Sequence, residues 1–279
     1  MAPKFRLMLP CLGLYIVGSC IGKTQREDPP ASVTAKETIV STQVKPTRNF
    51  KGKTVPVLCY HAIREIQKGD SPEQKAYSVS PENFALQMQT LDDQGYTTVT
   101  PDELKDFYTA QRPLPQKPIM ISFDDGRKEQ FSIGAALMEK HGFRGVFFIM
   151  TVSLGKKHYM SRDEVKLLAD KGHTIGCHTW DHHKVTSYKK EDWLLQFAKP
   201  KKQLEKITQK PVTSFAYPYG VWNYAATDSL KSHGFTTAFI FYGKQDLSRP
   251  LYTLERTNIP NSLSITAFLN KIESQGMGK

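Results

Sequence analysis

Ile119-Met120-Ile121-Ser122-Phe123-Asp124-Asp125-Gly126 is an apolar run of strand length that opens into two adjacent carboxylates and a glycine. In a fold of alternating strands and helices, that is the C-terminal edge of a parallel sheet, where reactive side chains gather. Neighbouring residues at a strand end point in different directions, so Asp124 and Asp125 can take different jobs. The plain alternative is an Asp-Asp-Gly turn that caps the following helix. On both sides of this stretch, apolar runs alternate with helix-period segments from Thr54 onward, the pattern of βα units. The strand candidates are Val55 to Tyr60, Tyr96 to Val99, Ile119 to Phe123, Gly145 to Met150, His173 to Cys177, Thr213 to Tyr217, Thr236 to Phe241 and Leu254 to Ile259.

The intervening segments carry helix signals. Ser80 caps with Pro81 in the first turn, and Phe84, Met88 and Leu91 then share one face before Gly95. Thr100 to Glu103 and Ser161 to Glu164 are capping boxes, while Gly142, Gly172 and Gly234 read as stops. This α/β pattern fits a (β/α) barrel better than a doubly wound sheet, although periodicity alone separates the two poorly.

Three further polar interruptions fall at strand ends. His173-Thr174-Ile175-Gly176-Cys177 is followed by His178-Thr179-Trp180-Asp181-His182-His183. His178 and His182 share one face if the chain turns helically there, and with a carboxylate from another strand end they form a two-His, one-Asp metal site. Phe215-Ala216-Tyr217-Pro218-Tyr219-Gly220 ends a strand in a turn, and Val57-Leu58-Cys59-Tyr60-His61 closes the first strand on a histidine.

The whole chain has 279 residues with 39% hydrophobic and 23% charged side chains, values that argue against disorder, collagen and coiled coil. Its formal charge of +11 is spread over several segments without a nucleic-acid signature, so no nucleic-acid partner is expected. Lys4 and Arg6 precede the apolar stretch Leu7 to Val17, too short to span a bilayer, and Val17-Gly18-Ser19-Cys20 follows. Residues 1–20 read as a signal peptide, 21–52 as a polar tether and 53–279 as a single catalytic domain. The protein is expected to be exported. Cys59 and Cys177 are expected to be free thiols.

Ser122-Phe123-Asp124-Asp125-Gly126 and the His178–His182 pair resemble the first two motifs of the polysaccharide deacetylases, the NodB-homology carbohydrate esterases of family 4. The likeness extends over about Pro56 to Ile259. Val57 to His61 and Ser78 to Phe84 resemble the branch of exported poly-N-acetylglucosamine deacetylases. The resemblance implies a distorted (β/α)7 barrel that removes N-acetyl groups from an N-acetylglucosamine polysaccharide. It implies that Asp125, His178 and His182 hold a divalent metal, zinc first and cobalt or nickel as alternatives. Asp124 would be the base for the attacking water, and the Tyr219 backbone N–H would hold the oxyanion. Val17 to Cys20 resemble a lipoprotein signal, which implies a membrane anchor through Cys20 in the cell envelope; the chain is expected to be a monomer.

Two departures stand out. Ala216 occupies the place of the family's usual motif-three Arg, and no late Leu-x-His supplies the general acid. His61 is the first candidate for a proton donor or substrate contact, with His183 and Arg256 weaker; His233 reads as a surface group. Trp180, Tyr217, Tyr219 and Trp222 are candidates for stacking on sugar rings. Peptidoglycan and chitooligosaccharides are alternative substrates, and an inactive sugar-binding relative and a metal phosphohydrolase are the rival functions.

Overall fold

A computed structural model describes residues 54–109, 112–241 and 243–275. The expected signal, the tether and Cys20 lie outside the described residues. The strands are β1 (Val57–Tyr60), β2 (Ala62–Ile63), β3 (Ser78–Val79), β4 (Thr97–Thr98), β5 (Pro118–Phe123), β6 (Gly145–Ile149), β7 (Thr174–Cys177), β8 (Ser214–Ala216), β9 (Thr237–Ile240), β10 (Leu254–Glu255) and β11 (Thr257–Asn258). The α-helices are α1 (Pro72–Ala76), α2 (Pro81–Asp93), α3 (Pro101–Tyr108), α4 (Ala136–Glu139), α5 (Arg162–Asp170), α6 (Lys199–Thr208), α7 (Tyr224–Ser232) and α8 (Ile265–Gln275). Ser80, Thr100 and Ser161 cap α2, α3 and α5, and the latter two form complete capping boxes. Among the described residues, no helix is long and apolar enough to cross a membrane.

The main sheet is parallel and runs β10-β9-β8-β7-β6-β5-β1-β11, with β4 added beside β5. Its two ends are consecutive in the chain. Leu254 and Glu255 pair with β9, Thr257 and Asn258 pair with β1, and Arg256 alone stands between them. The single strand expected over Leu254 to Ile259 is therefore broken at Arg256, where it passes from one partner to the other and brings the sheet round into a nearly closed barrel.

Alternation along the strands creates two cores. Ile119, Ile121, Phe123, Phe147, Ile149 and Phe215 pack outward with the helix residues Phe84, Met88, Val165, Leu168, Leu204 and Leu230. Met120, Val146, Phe148, Ala216, Phe239 and Leu254 form the inner cluster, which Leu104 and Tyr108 of α3 join. A side chain two residues beyond an inward position points inward again. The inward columns therefore rise from Val57 and Cys59 to His61, from Met120 and Ser122 to Asp124, from Gly176 to His178, and from Leu254 to Arg256.

The sequence reading missed the small parallel pair β2–β3 (Ala62↔Ser78, Ile63↔Val79). Each strand is only two residues long, too short to show a period. The pair carries the excursion 64–77 up beside His61.

Candidate active site

Asp124 is buried, 3% exposed, and its two oxygens meet the Arg256 guanidinium side by side: Nη1 to Oδ1 at 2.6 Å and Nη2 to Oδ2 at 2.7 Å. Burial by itself would push this carboxyl upward. Arg256, aided by His178 and His61, more than offsets that and holds it well below the usual carboxylate range. Arg256 is itself buried between the rings of Phe148 and Phe241, and the carboxylate keeps it charged against the cost of desolvation. Arg256, weighed from sequence as a weak acid candidate, is thus the clamp on Asp124. It supplies from the barrel seam the guanidinium that Ala216 does not.

Asp125 leaves the strand in the left-handed region, φ 77°. Its Oδ1 lies 3.8 Å from His178 Nε2 and 3.7 Å from His182 Nε2, and its other oxygen faces Arg127 Nε at 3.4 Å. The expected helical turn between the two histidines is absent. Thr179 and His182 both have positive φ, 65° and 68°, and the His182 N–H donates to Thr179 Oγ1, so a tight loop brings the rings to 4.8 Å between centroids. One helical face was the wrong geometry, although the two side chains do meet.

The donor set fits a divalent ion. Asp125, His178 and His182 each offer one ligand atom, all within 4.8 Å of one another, against about 3.4 Å between neighbouring ligands around tetrahedral zinc. His178 Nδ1–H donates to the Ala216 carbonyl at 2.8 Å, which fixes the ring and leaves Nε2 with a lone pair. Burial, then the neighbouring His178, lower His182 to about 4, so its imidazole is neutral near pH 7.

His61 stands on the opposite side of Asp124, with Nε2 at 3.9 Å from Oδ2. Its Nδ1 is buried with no hydrogen-bond partner, and burial lowers its pKa although both aspartates pull the other way. Cys59 lies beneath this group. Its thiol, like that of Cys177, is free and buried, and burial pushes both upward, so both are protonated.

Two buried glutamines went unnoticed in the sequence. Gln130 Nε2 donates to the backbone carbonyls of His61 at 2.7 Å and Asp124 at 2.5 Å, which ties the ends of β1 and β5 together. Gln196 accepts the Trp180 N–H at 3.1 Å and donates to Asp181 at 2.9 Å, bracing the histidine loop. Both sit in π-helical turns, Gln130–Ala135 and Leu194–Ala198.

A cleft of about 280 Å³ opens over these groups. Tyr219, 51% exposed at φ 59°, lies along it with its ring 4.7 Å from that of His182. Tyr217 lines the cleft too but is fully buried, and its hydroxyl donates to the Tyr252 carbonyl, so it offers no platform. Trp180 is half-buried under the Lys199 ammonium, and Trp222 packs against the outer core. His183 points to solvent beside Asp181, and His233 closes α7. Neither belongs to the cleft.

A barrel of parallel strands thus carries paired carboxylates and two imidazoles at its C-terminal edge, the place where hydrolytic sites of such folds are built. Residues 111–238 match the family model described as polysaccharide deacetylase. A protein of Bacillus subtilis strain 168 named "Putative polysaccharide deacetylase YxkH" is 25% identical over 94% of this chain and 98% of its own length. A poly-beta-1,6-N-acetyl-D-glucosamine N-deacetylase of Staphylococcus aureus strain MRSA252 is 25% identical over 68% of this chain and 73% of its own. The solved structure of the Streptococcus pyogenes deacetylase PplD in complex with acetate superimposes with a TM-score of 0.72 at 21% identity, covering 80% of this chain and 99% of that one, and so shares the fold. Residues 111–238 thus carry a polysaccharide deacetylase domain, and the fold is the NodB-type barrel. It is a hydrolase, a polysaccharide N-deacetylase.

Proposed function

We propose that this chain removes N-acetyl groups from a polymer of N-acetylglucosamine, with matrix-type poly-N-acetylglucosamine ranked before peptidoglycan and chitooligosaccharides. One observation carries the reading: the two adjacent aspartates have separate partners, Asp124 a guanidinium and Asp125 two imidazoles. The likeness to a named poly-beta-1,6-N-acetyl-D-glucosamine N-deacetylase supports the choice of polymer.

Asp125, His178 and His182 would hold the ion, zinc first and cobalt or nickel otherwise. A divalent ion there acidifies water and polarises a carbonyl, which a carboxylate as strongly ionised as Asp124 needs if it is to accept a proton. Asp124 takes that proton as the water oxygen adds to the acetyl carbon. The Tyr219 backbone N–H is assigned to the oxygen that becomes negative. When the carbon–nitrogen bond breaks, the nitrogen keeps the electron pair and needs a proton. His61, neutral at rest and beside Asp124, relays it there. Acetate and a free sugar amine are the products.

Acetate release from poly-N-acetylglucosamine oligomers, peptidoglycan and acetylated xylan, measured side by side, tests this. The first is expected to be fastest, and release from xylan alone would overturn the reading. His178→Ala is expected to abolish metal binding, read by elemental analysis. Asp124→Asn keeps the metal and loses acetate release, because an amide cannot accept the proton.

The same reading places the protein outside the cytoplasm, lipid-anchored at Cys20, on the strength of Lys4, Arg6, Leu7 to Val17 and the small residues before Cys20. Incorporation of labelled palmitate into the wild-type chain but not into Cys20→Ala is the expected result.

A further inference from the structure

The three acidic side chains of the cleft differ in how their charge is met. Asp124 is paired with Arg256, and Asp125 faces Arg127 and two imidazoles. Glu73 lines the same cleft, and among the described residues no cation or donor meets its carboxylate. Its neighbour Gln74 also lines the cleft, but that side-chain oxygen is used by the Ser71 N–H in the capping box of α1. The segment is held firmly. The β2–β3 pair anchors its base, and the Tyr77 ring rests 4.7 Å from the His61 ring. One uncompensated, solvent-exposed carboxylate thus stands on the wall of the cleft that His61 also lines. The chain as a whole carries +11 and repels cations at long range, so a cationic ligand meets its local attraction at this residue.

We infer that Glu73 forms a subsite for a protonated primary amine on a sugar next to the one being deacetylated, so that partly deacetylated chains are preferred over fully acetylated ones. The inference rests on the proposed function, because each turnover converts a neutral amide into such an amine. A neutral acetamido group gives the carboxylate no opposite charge to pair with. An acidic residue in the first turn of α1 also favours that helix, but a purely helical role does not distinguish between substrates.

The test compares kcat/KM for acetate release from oligomers of equal length, one fully acetylated and two positional isomers each bearing a single glucosamine. Wild type is expected to favour the better isomer about threefold, the size of an exposed ion pair, and the preference fades at about 0.5 M salt. In Glu73→Gln the ratio falls to about one, and in Glu73→Lys it inverts. A wild-type ratio of one, or a ratio unchanged in Glu73→Lys, overturns the subsite while leaving the deacetylase reading standing. Absence of acetate from every oligomer overturns the deacetylase reading itself.

Discussion

Asp124 keeps its charge inside the barrel only because Arg256 does. Removing one partner of a buried pair leaves the other uncompensated, at a cost of about 3–5 kcal/mol. Arg256→Met is therefore expected to lower Tm by several degrees and acetate release by at least about 100-fold, with Asp124 titrating upward by NMR. Adding Asp124→Asn to it should recover much of the Tm and none of the activity, and a double variant no more stable than Arg256→Met would contradict the pairing. The sequence showed Asp124, Asp125, His178 and His182 because two rare patterns coincide at strand ends. It hid the role of Arg256 because the partner lies 132 positions away. A signal was there: Arg256 shares the inward parity of Leu254 in a buried strand, a place where a charge needs a partner.

The elements that aim these residues are less regular than their spacing suggested. Strand ends and capped helices followed the hydrophobic period closely, whereas the loop over His178 to His182 replaces the expected helical turn with two left-handed residues. Gln130 and Gln196 could not be read at all, since a π-turn leaves no fixed spacing in the sequence and such turns recur at functional sites. Gln196→Leu removes the bonds to Trp180 and Asp181, and it is expected to weaken metal affinity about 10- to 100-fold by isothermal titration with the far-UV CD spectrum retained. Gly220 is tighter still. At φ 68° an added Cβ would lie 2.1 Å from Phe241 Cβ, so Gly220→Ala must displace the turn that carries Tyr219. A loss of about 1–3 kcal/mol in urea unfolding, together with lost activity, is expected.

At the scale of the molecule, βα alternation made the barrel legible, but its closure was not, because Leu254 to Ile259 reads as one uninterrupted strand. Burial lowers the pKa of His61, His173 and His182, the last to about 4. The unfolded chain takes up protons on these groups near pH 6.5 while the folded one does not, so stability is full above that value and falls as pH drops towards about 4. Asp124 adds its own loss at lower pH, as the medium approaches its depressed folded value. The metal-free protein should show a Tm that declines steadily over this window in calorimetry; a Tm that rises on acidification would contradict the burial of these imidazoles.

The barrel is shut by the residue that also clamps Asp124. During synthesis the carboxylates and imidazoles of the cleft all leave the ribosome well before Arg256, yet Asp124 has its guanidinium partner only once that late arginine docks. A nascent or clipped chain ending short of Arg256 is thus expected to release no acetate, so that hydrolytic competence would arrive together with completion of the fold.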